Sequence, residues 1–253
     1  MANVIELNNV SLSFGGLKAV NHVDFQIKEN ELVGLIGPNG AGKTTVFNLM
    51  TGIYTPDEGE VKILNKNIRK LRPDKVALLG ISRTFQNIRL FKKLSVIENV
   101  LVAFNHQMKY SSFEAVIRSN RFFKEEKKYQ TKALELLKVF HLDDKKDLLA
   151  EQLPYGEQRK LEIARALALN PKVLLLDEPA AGMNENETLE LMKTIHFIKE
   201  KFNVAIVLIE HDMKLVMGIC ERIIVLNFGE IIAVGNKDEI LNNKEVIKAY
   251  LGD

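Results

Sequence analysis

The 253-residue chain is long enough for one large or two small domains, and its 46% of apolar residues suffice for a substantial buried core. Its 35 basic and 33 acidic residues leave a net charge of +2, too small to indicate nucleic acid or an anionic lipid surface as a partner. No segment approaches the roughly 20 apolar residues of a membrane-spanning helix, and residues 1–6 lack a basic leader. The single cysteine, Cys220, lies in an apolar helical stretch, which is typical of a buried thiol in a reducing compartment. These features predict a compact cytosolic protein that reaches a membrane only through a protein partner.

The apolar pattern changes period along the chain, and each change predicts a different kind of element. After residue 45, β-rich runs give way to a helical spacing that stops at Gly52, and turn-rich residues then lead into a hairpin. From about residue 87 to residue 169 the pattern is helical with few glycines, which predicts a helical insertion within an α/β protein. The predicted strands are residues 4–10, 23–27, 32–36, 81–85, 173–176, 204–209, 223–226 and 231–234, the hairpin is 60–68, and the later helices are 159–167, 185–199 and 212–219.

A glycine-rich loop at residues 37–45 lies between a predicted strand and a predicted helix, which is the context that a phosphate-binding loop requires. Glycines let backbone N–H groups curl around phosphates, Lys43 brings a positive charge to the β and γ groups, and Thr44 offers a hydroxyl to Mg²⁺. The loop therefore predicts ATP binding by Gly37, Pro38, Asn39, Gly40, Ala41, Gly42, Lys43, Thr44 and Thr45.

Two adjacent carboxylates, Asp177 and Glu178, follow the apolar run of the predicted strand 173–176. Unpaired acids at a buried strand tip are costly unless a cation or a polar network meets them. We expect Asp177 to bind Mg²⁺ through water, and Glu178 to orient the water that attacks the γ-phosphate. A plain acidic turn is the alternative, which the phosphate-binding loop in the same chain disfavours.

The segment Leu153-Pro154-Tyr155-Gly156-Glu157-Gln158 precedes a predicted helix and lies just upstream of the two carboxylates. It resembles the signature segment of ABC transporter ATPases, whose usual form is Leu-Ser-Gly-Gly-Gln; Pro154, Tyr155 and Glu157 replace the serine, the first glycine and the glutamine. The resemblance implies that Gly156 and the helix N-terminus contact the γ-phosphate of ATP bound to a facing subunit.

Three further positions match the family, and their roles are what the resemblance implies. Phe14 stacks on adenine, with a core phenylalanine as the alternative. Gln86 is the hinge glutamine that touches Mg²⁺ or the attacking water. His211 follows the predicted strand 204–209 and Glu210, on the same sheet edge as Asp177, and contacts the γ-phosphate. The implied catalytic residues are Glu178, His211 and Gln86, and the implied metal ligands are Thr44, Gln86 and Asp177.

The implied fold is α/β: a P-loop NTPase (RecA-like) core with an antiparallel β subdomain and an inserted helical subdomain, the ABC ATPase fold. One ABC ATP-binding domain is expected over residues 1–253. Residues 1–86 and 169–253 would form the catalytic core with the β subdomain, and residues 87–168 the helical signature subdomain.

The resemblance spans essentially the whole chain, and its nearest form is the ATP-binding subunit of bacterial branched-chain amino acid importers. Segments 81–86, 155–156, 177–182 and 209–213, the insertion 99–150 and the ending 249–252 carry it. The implied function is hydrolysis of ATP with Mg²⁺, coupled to transport through two membrane permeases. An extracytoplasmic binding protein delivers the substrate to these permeases. The implied direct partner is a second ABC ATPase, in a heterodimer or a homodimer at the cytoplasmic face of the membrane, and no nucleic acid is expected.

Three other functions stay open. An ABC exporter ATPase, such as that of lipopolysaccharide transport, shares most of these features, although segment 209–213 and Tyr155 favour an importer. A soluble ABC protein of DNA repair or translation would need a second ATPase half or a long coiled coil. A small-molecule kinase or a GTPase would need an acceptor pocket or an Asn-Lys-x-Asp motif, and Asn65-Lys66-Asn67 lacks the acid.

Overall fold

The computed structural model describes residues 2–251, without the side chains of Ser112 and Leu251. The outermost residues of the predicted domain 1–253, including Gly252 of the family-like ending, lie outside the described residues. The chain divides into two compact units, residues 1–86 together with 172–253, and residues 87–171. None of the helices in residues 2–251 combines the length and the apolar character needed to cross a bilayer.

The first unit holds two sheets. Its strands are β1 (Asn3–Phe14), β2 (Leu17–Lys28), β3 (Leu32–Ile36), β4 (Glu58–Ile63), β5 (Lys66–Asn67), β6 (Ile81–Arg83), β7 (Val173–Asp177), β8 (Ala205–Ile209), β9 (Arg222–Asn227) and β10 (Glu230–Gly235). One sheet is antiparallel with the order β2-β1-β4-β5. The other has the order β10-β9-β3-β8-β7-β6, in which all strands but β10 run parallel. The carboxyl ends of β3, β6, β7 and β8 therefore share one edge.

The burial of the strand residues explains why the apolar pattern of the sequence predicted these strands. Every residue of β3, β7 and β8 is buried, as expected of parallel strands covered on both faces, and their apolar runs are continuous. Buried and exposed positions mix in β1 and β2. Val10, Val33, Phe47 and Val207 belong to one apolar core to which both sheets contribute.

The predicted strands all form, but three of their ends differ from the predicted ones by two residues or more. β1 and β2 continue to a tight turn at Gly15 and Gly16, so Phe14 is the last residue of β1, paired with Leu17, and not a loop residue. β6 ends at Arg83, two residues before its predicted end. Beyond this end the Thr84 N–H still donates to the Leu175 carbonyl, while the Thr84 hydroxyl accepts from the backbone N–H of Asp177 on β7.

The helices, in chain order, are α1 (Lys43–Met50), α2 (Pro73–Leu78), α3 (Val96–Phe104), α4 (Ser112–Val116), α5 (Asn120–Val139), α6 (Tyr155–Ala168), α7 (Glu185–Phe202), α8 (Met213–Ile219), α9 (Lys237–Leu241) and α10 (Lys244–Leu251). α7 begins at a reciprocal cap between Asn184 and Glu187 and ends at Asn203 in a left-handed conformation. Cys220 follows α8 and is partly buried against Gly34. Desolvation, helped by the charge of Glu221, raises the pKa of its thiol to about 12.

The second unit consists of α3 to α6. α3 packs against α5 and α6, and Val100, Tyr129, Leu137 and Leu161 are among its buried residues. The buried Asn99 holds the segment before α3, since its side chain exchanges hydrogen bonds with the backbone of Phe91 and donates to two further carbonyls. α6 starts four residues before the predicted helix.

Candidate active site

The predicted phosphate-binding loop, residues 37–45, connects β3 to α1, and two of its glycines are required by space. A Cβ at Gly37, whose φ is 150°, would lie 2.0 Å from the Leu226 carbonyl oxygen. A Cβ at Gly42, whose φ is 101°, would lie 2.5 Å from the Ala19 carbonyl oxygen. Both backbones pass too close to their neighbours for any side chain. The loop is therefore held against the strands around it.

Lys43, the first residue of α1, is buried, and its ammonium donates to the carbonyls of Gly37 at 2.7 Å and Pro38 at 2.9 Å. Burial lowers the pKa of this lysine, while the charges of Glu178 and Asp177 oppose that shift. The cation of the loop thus lies within the field of the carboxylates of Asp177 and Glu178, at the end of β7.

Glu178 links the two residues that the family resemblance assigned to catalysis. Its Oε2 accepts a hydrogen bond from Gln86 Nε2 at 3.0 Å, and its Oε1 lies 3.1 Å from His211 Nε2. The three side chains come together because β6, β7 and β8 are parallel neighbours in the sheet order β8-β7-β6. A carboxylate held from both sides has a fixed orientation, which suits a group that must aim a water molecule.

The backbone of Glu178 is strained. Its φ of 48° is left-handed, a conformation that non-glycine residues adopt rarely and at a cost of about 1–3 kcal/mol. Its N–H donates to the carbonyl of Ile209, the last residue of β8.

Asp177 is buried, and a residue that the sequence did not single out meets its charge. Arg83 Nη2 donates to Asp177 Oδ2 at 2.6 Å, and the two side chains are only 6% and 5% exposed. Arg83 Nη1 donates to Asn48 of α1 at 2.6 Å, and the guanidinium lies 5.3 Å from the centre of the Phe47 ring and 5.1 Å from that of Phe85. One guanidinium thus joins the helix after the phosphate loop, the end of β7 and the segment that leads to Gln86.

Glu210 is a second residue that sequence reasoning missed. It is 4% exposed, and its carboxylate accepts from the backbone N–H groups of Ala180 at 2.7 Å and His211 at 3.1 Å, and also from that of Asp212. Desolvation raises the pKa of Glu210, the charge of Glu178 adds to the rise, and the three backbone donors oppose it. The carboxylate ties the loop after Glu178 to the loop that carries His211.

Two other predicted site residues have different surroundings. The half-exposed Phe14 ring packs edge-on against Tyr54, with 5.2 Å between ring centres, so it is not a core residue. Gly156 belongs to the second unit, as the second residue of α6, whose N-terminus has no side-chain cap. Beside it, the Tyr155 hydroxyl lies 3.4 Å from Arg159 Nη2.

The predicted metal ligands supply a hydroxyl, a carboxylate and an amide, from Thr44, Asp177 and Gln86. These hard oxygen donors suit Mg²⁺, which is typically held by one or two carboxylates together with substrate phosphates. Within residues 2–251 there is no group of three or more His, Cys, Asp or Glu side chains that could hold a metal ion.

Comparison with known proteins assigns the family. Residues 20–181 match the family described as ABC transporter. The chain belongs to the ABC transporter family. It is 45% identical over 250 residues to the "High-affinity branched-chain amino acid transport ATP-binding protein LivG" of Salmonella typhimurium, covering 99% of this chain and 98% of that protein. It is 32% identical over 251 residues, with the same coverage, to the "Lipopolysaccharide export system ATP-binding protein LptB" of Haemophilus influenzae.

Solved ABC structures share the fold. The ADP conformation of MJ1267, described as an ATP-binding cassette of an ABC transporter, has a TM-score of 0.85 at 30% identity and covers all of both chains. A dimeric bacterial ABC transporter cassette, MJ0796, has a TM-score of 0.77 at 29% identity, over 92% of this chain and 98% of that one. The predicted family and the predicted ABC ATPase fold are confirmed. The predicted enzyme class, an ATP-hydrolysing ABC transport ATPase, is confirmed with them.

Proposed function

We propose that this ABC ATPase is the ATP-hydrolysing subunit of an importer for branched-chain, hydrophobic amino acids. Two observations support it. Gln86 and His211 both contact Glu178 at one sheet edge, which supports ATP hydrolysis. Sequence identity to the LivG protein is well above identity to the LptB protein, which supports import of amino acids over export of lipopolysaccharide.

The proposed reaction is in-line attack of water on the γ-phosphate of ATP. Glu178 accepts a hydrogen bond from the water and aims it, and Gln86 and His211 hold that carboxylate in place. Lys43 and the N–H groups of the loop 37–45 neutralise the phosphates. Thr44, Asp177 and Gln86 would hold Mg²⁺, which neutralises charge on the phosphate oxygens when it is bound.

We further propose a separate role for each subdomain of the chain. Residues 1–86 and 169–253 act as the catalytic core, with Phe14 stacking on the adenine, and residues 87–168 act as the signature subdomain. Gly156 and the open N-terminus of α6 would contact nucleotide bound to a second ABC ATPase, in a heterodimer or a homodimer. The dimeric state of the MJ0796 cassette supports such pairing.

The proposed complex sits at the cytoplasmic face of the membrane. It contains two permease subunits and receives its cargo from an extracytoplasmic binding protein. Gln86 is proposed to couple the nucleotide site to the permeases, because it contacts Glu178 and directly precedes the chain segment that forms the second unit.

The deciding experiment is to isolate the intact complex from membranes, identify its subunits, and measure which amino acids, delivered by the binding protein, stimulate ATP hydrolysis. Stimulation by leucine, isoleucine or valine is expected. Copurification with lipopolysaccharide-transport proteins, or stimulation only by a lipid, would instead support an exporter.

A Gln86→Ala variant tests the coupling. It should lower transport in reconstituted vesicles more than it lowers ATP affinity, because the glutamine holds Glu178, whose proposed role is to orient water and not to bind the nucleotide. Transport and ATP hydrolysis that both stay normal would remove Gln86 from the mechanism.

A further inference from the structure

The hairpin formed by α4 and the start of α5 exposes apolar side chains that nothing in the second unit covers among the described residues. Phe113 is 71% exposed, Val116 81%, Ile117 56% and Phe123 55%. Ile117 lies one helical turn after Phe113, to whose carbonyl its N–H donates at 3.1 Å. The eleven residues 113–123 thus present two aromatic and two branched aliphatic side chains to solvent.

The hairpin holds these side chains in a defined structure. Ser111 and Glu114 cap α4 reciprocally, and Ser119 caps α5. Beneath the exposed groups, the ring of Phe122 packs edge-on against those of Tyr110 and Phe123, at 5.1 and 5.4 Å. An exposed apolar set on a braced hairpin is a surface and not a loose loop.

The acidic residues of the hairpin are engaged within it. Glu114 accepts from the Ser111 backbone and lies 3.6 Å from Arg121. Glu125 pairs with Lys128 at 3.3 Å. Glu126 accepts from the Tyr110 hydroxyl at 2.5 Å, a bond that raises the pKa of that phenol to about 12.

Basic residues outnumber the acidic ones in this hairpin. Residues 109–128 hold six basic and three acidic side chains, a net charge of +3 against +2 for the whole chain. The exposed cations that flank the apolar set are Lys109, Arg118, Lys124 and Lys127. The small net charge of the chain therefore hides a local positive surface.

We propose that this lipid patch, Phe113, Val116, Ile117 and Phe123 with Lys109, Arg118, Lys124 and Lys127, binds an anionic lipid bilayer directly. Apolar side chains at the headgroup boundary combined with cations near anionic lipids are the two contributions that hold interfacial helices on membranes. The charge of the patch selects this occupant, because its carboxylates are taken up inside the hairpin while its cations are exposed. The proposal rests on the membrane location proposed above and adds to it a contact that needs no permease.

The test is sedimentation of the full chain, without nucleotide, with vesicles of phosphatidylglycerol and phosphatidylethanolamine, and with phosphatidylcholine vesicles as the neutral comparison. Binding to the anionic vesicles alone, weakened by added salt, is expected. The pair Lys124→Gln and Lys127→Gln should weaken it about 25-fold, at about fivefold per cation. The pair Phe113→Ser and Val116→Ser should weaken it about tenfold or more, since each apolar group leaves the lipid boundary.

Matched controls separate the patch from general charge and stickiness. Phe228→Ser removes an 85% exposed aromatic at the turn between β9 and β10, and Lys66→Gln with Lys70→Gln removes two exposed cations of the first unit. Both controls should bind as the parent chain does, and all variants should hydrolyse ATP as the parent does.

The proposal fails if anionic vesicles do not bind the chain, or if patch and control variants lose binding equally. It also fails if the patch variants keep vesicle binding but lose copurifying permease, which would make the patch a protein contact. Lost vesicle binding with normal transport would leave the importer function standing.

Discussion

Replacing Arg83 with methionine removes the cation that neutralises Asp177 inside the protein. Both side chains are almost fully buried, at 6% and 5% exposure, so water cannot replace the lost guanidinium. Breaking one side of a buried ion pair costs about 3–5 kcal/mol, because it leaves a charge without a partner. The same change removes the hydrogen bond to Asn48, which places the expected loss at the upper end of that range.

The chain has no tryptophan, so unfolding in urea is best followed by far-ultraviolet circular dichroism, in buffer free of nucleotide and metal. The double variant Arg83→Met with Asp177→Asn should regain much of the loss, since both charges are then gone. The control is Arg222→Met. Arg222 pairs with Glu31 at 2.7 Å, but the two side chains are 25% and 13% exposed, so about 1–2 kcal/mol is expected.

A loss below about 1 kcal/mol in Arg83→Met, or a loss no larger than that of Arg222→Met, would refute the reasoning. Water would then reach Asp177. The contacts of Arg83 with α1, with Asp177 of β7 and with the segment before Gln86 would then contribute little to the free energy of unfolding.

Three further outcomes follow from the site. Glu178→Gln keeps the shape of the side chain and removes its charge. The affinity for ATP should therefore stay within about threefold of the parent value, while kcat falls about 100- to 10,000-fold. Phosphate release at the parent rate would mean that another residue orients the water. Phe14→Ala should weaken binding of a fluorescent ATP analogue about 5- to 100-fold, since stacking of a base on an aromatic ring contributes about 1–3 kcal/mol. Phe14→Trp should keep the affinity of the parent. Equal affinities of the parent and both variants would exclude stacking. Burial raises the pKa of Glu210 above its ordinary 4.5, so the ionised form is disfavoured in the fold. The free energy of unfolding of the parent should therefore fall relative to that of Glu210→Gln as pH rises from 4.5 through the raised pKa, and parallel urea profiles of the two chains would contradict this.

The sequence was sufficient for elements whose signal is local. Buried parallel strands such as β7 and β8 are continuous apolar runs, and the glycine pattern at residues 37–45 needs only its flanking strand and helix. The ends of β1 and β2 were missed because polar residues interrupt the apolar pattern before the hairpin turn. Placing two predicted strand ends on one sheet edge brought His211 near the carboxylates, whereas Gln86 was assigned only through the family resemblance.

Contacts between side chains far apart in sequence could not be read in the same way. Arg83 and Asp177 are 94 positions apart, and only the pairing of β6 with β7 brings them together. The available signal was a charged residue inside a predicted strand. Glu210 gave a similar signal, as an acid directly after the five buried residues of β8. The roles of Phe14, Gln86 and Gly156 in binding and catalysis stay predictions.

Cys220 gives the molecule a practical use in labelling. Its pKa of about 12 leaves about one thiol in 100,000 ionised at neutral pH, and only the thiolate reacts with maleimides. A second cysteine at an exposed position such as 123 would have an ordinary pKa near 8.5 and would react about a thousandfold faster or more. A polarity-sensitive dye could therefore be attached at position 123 without first deleting the native thiol. Its emission would report whether that position leaves water when the chain meets a vesicle.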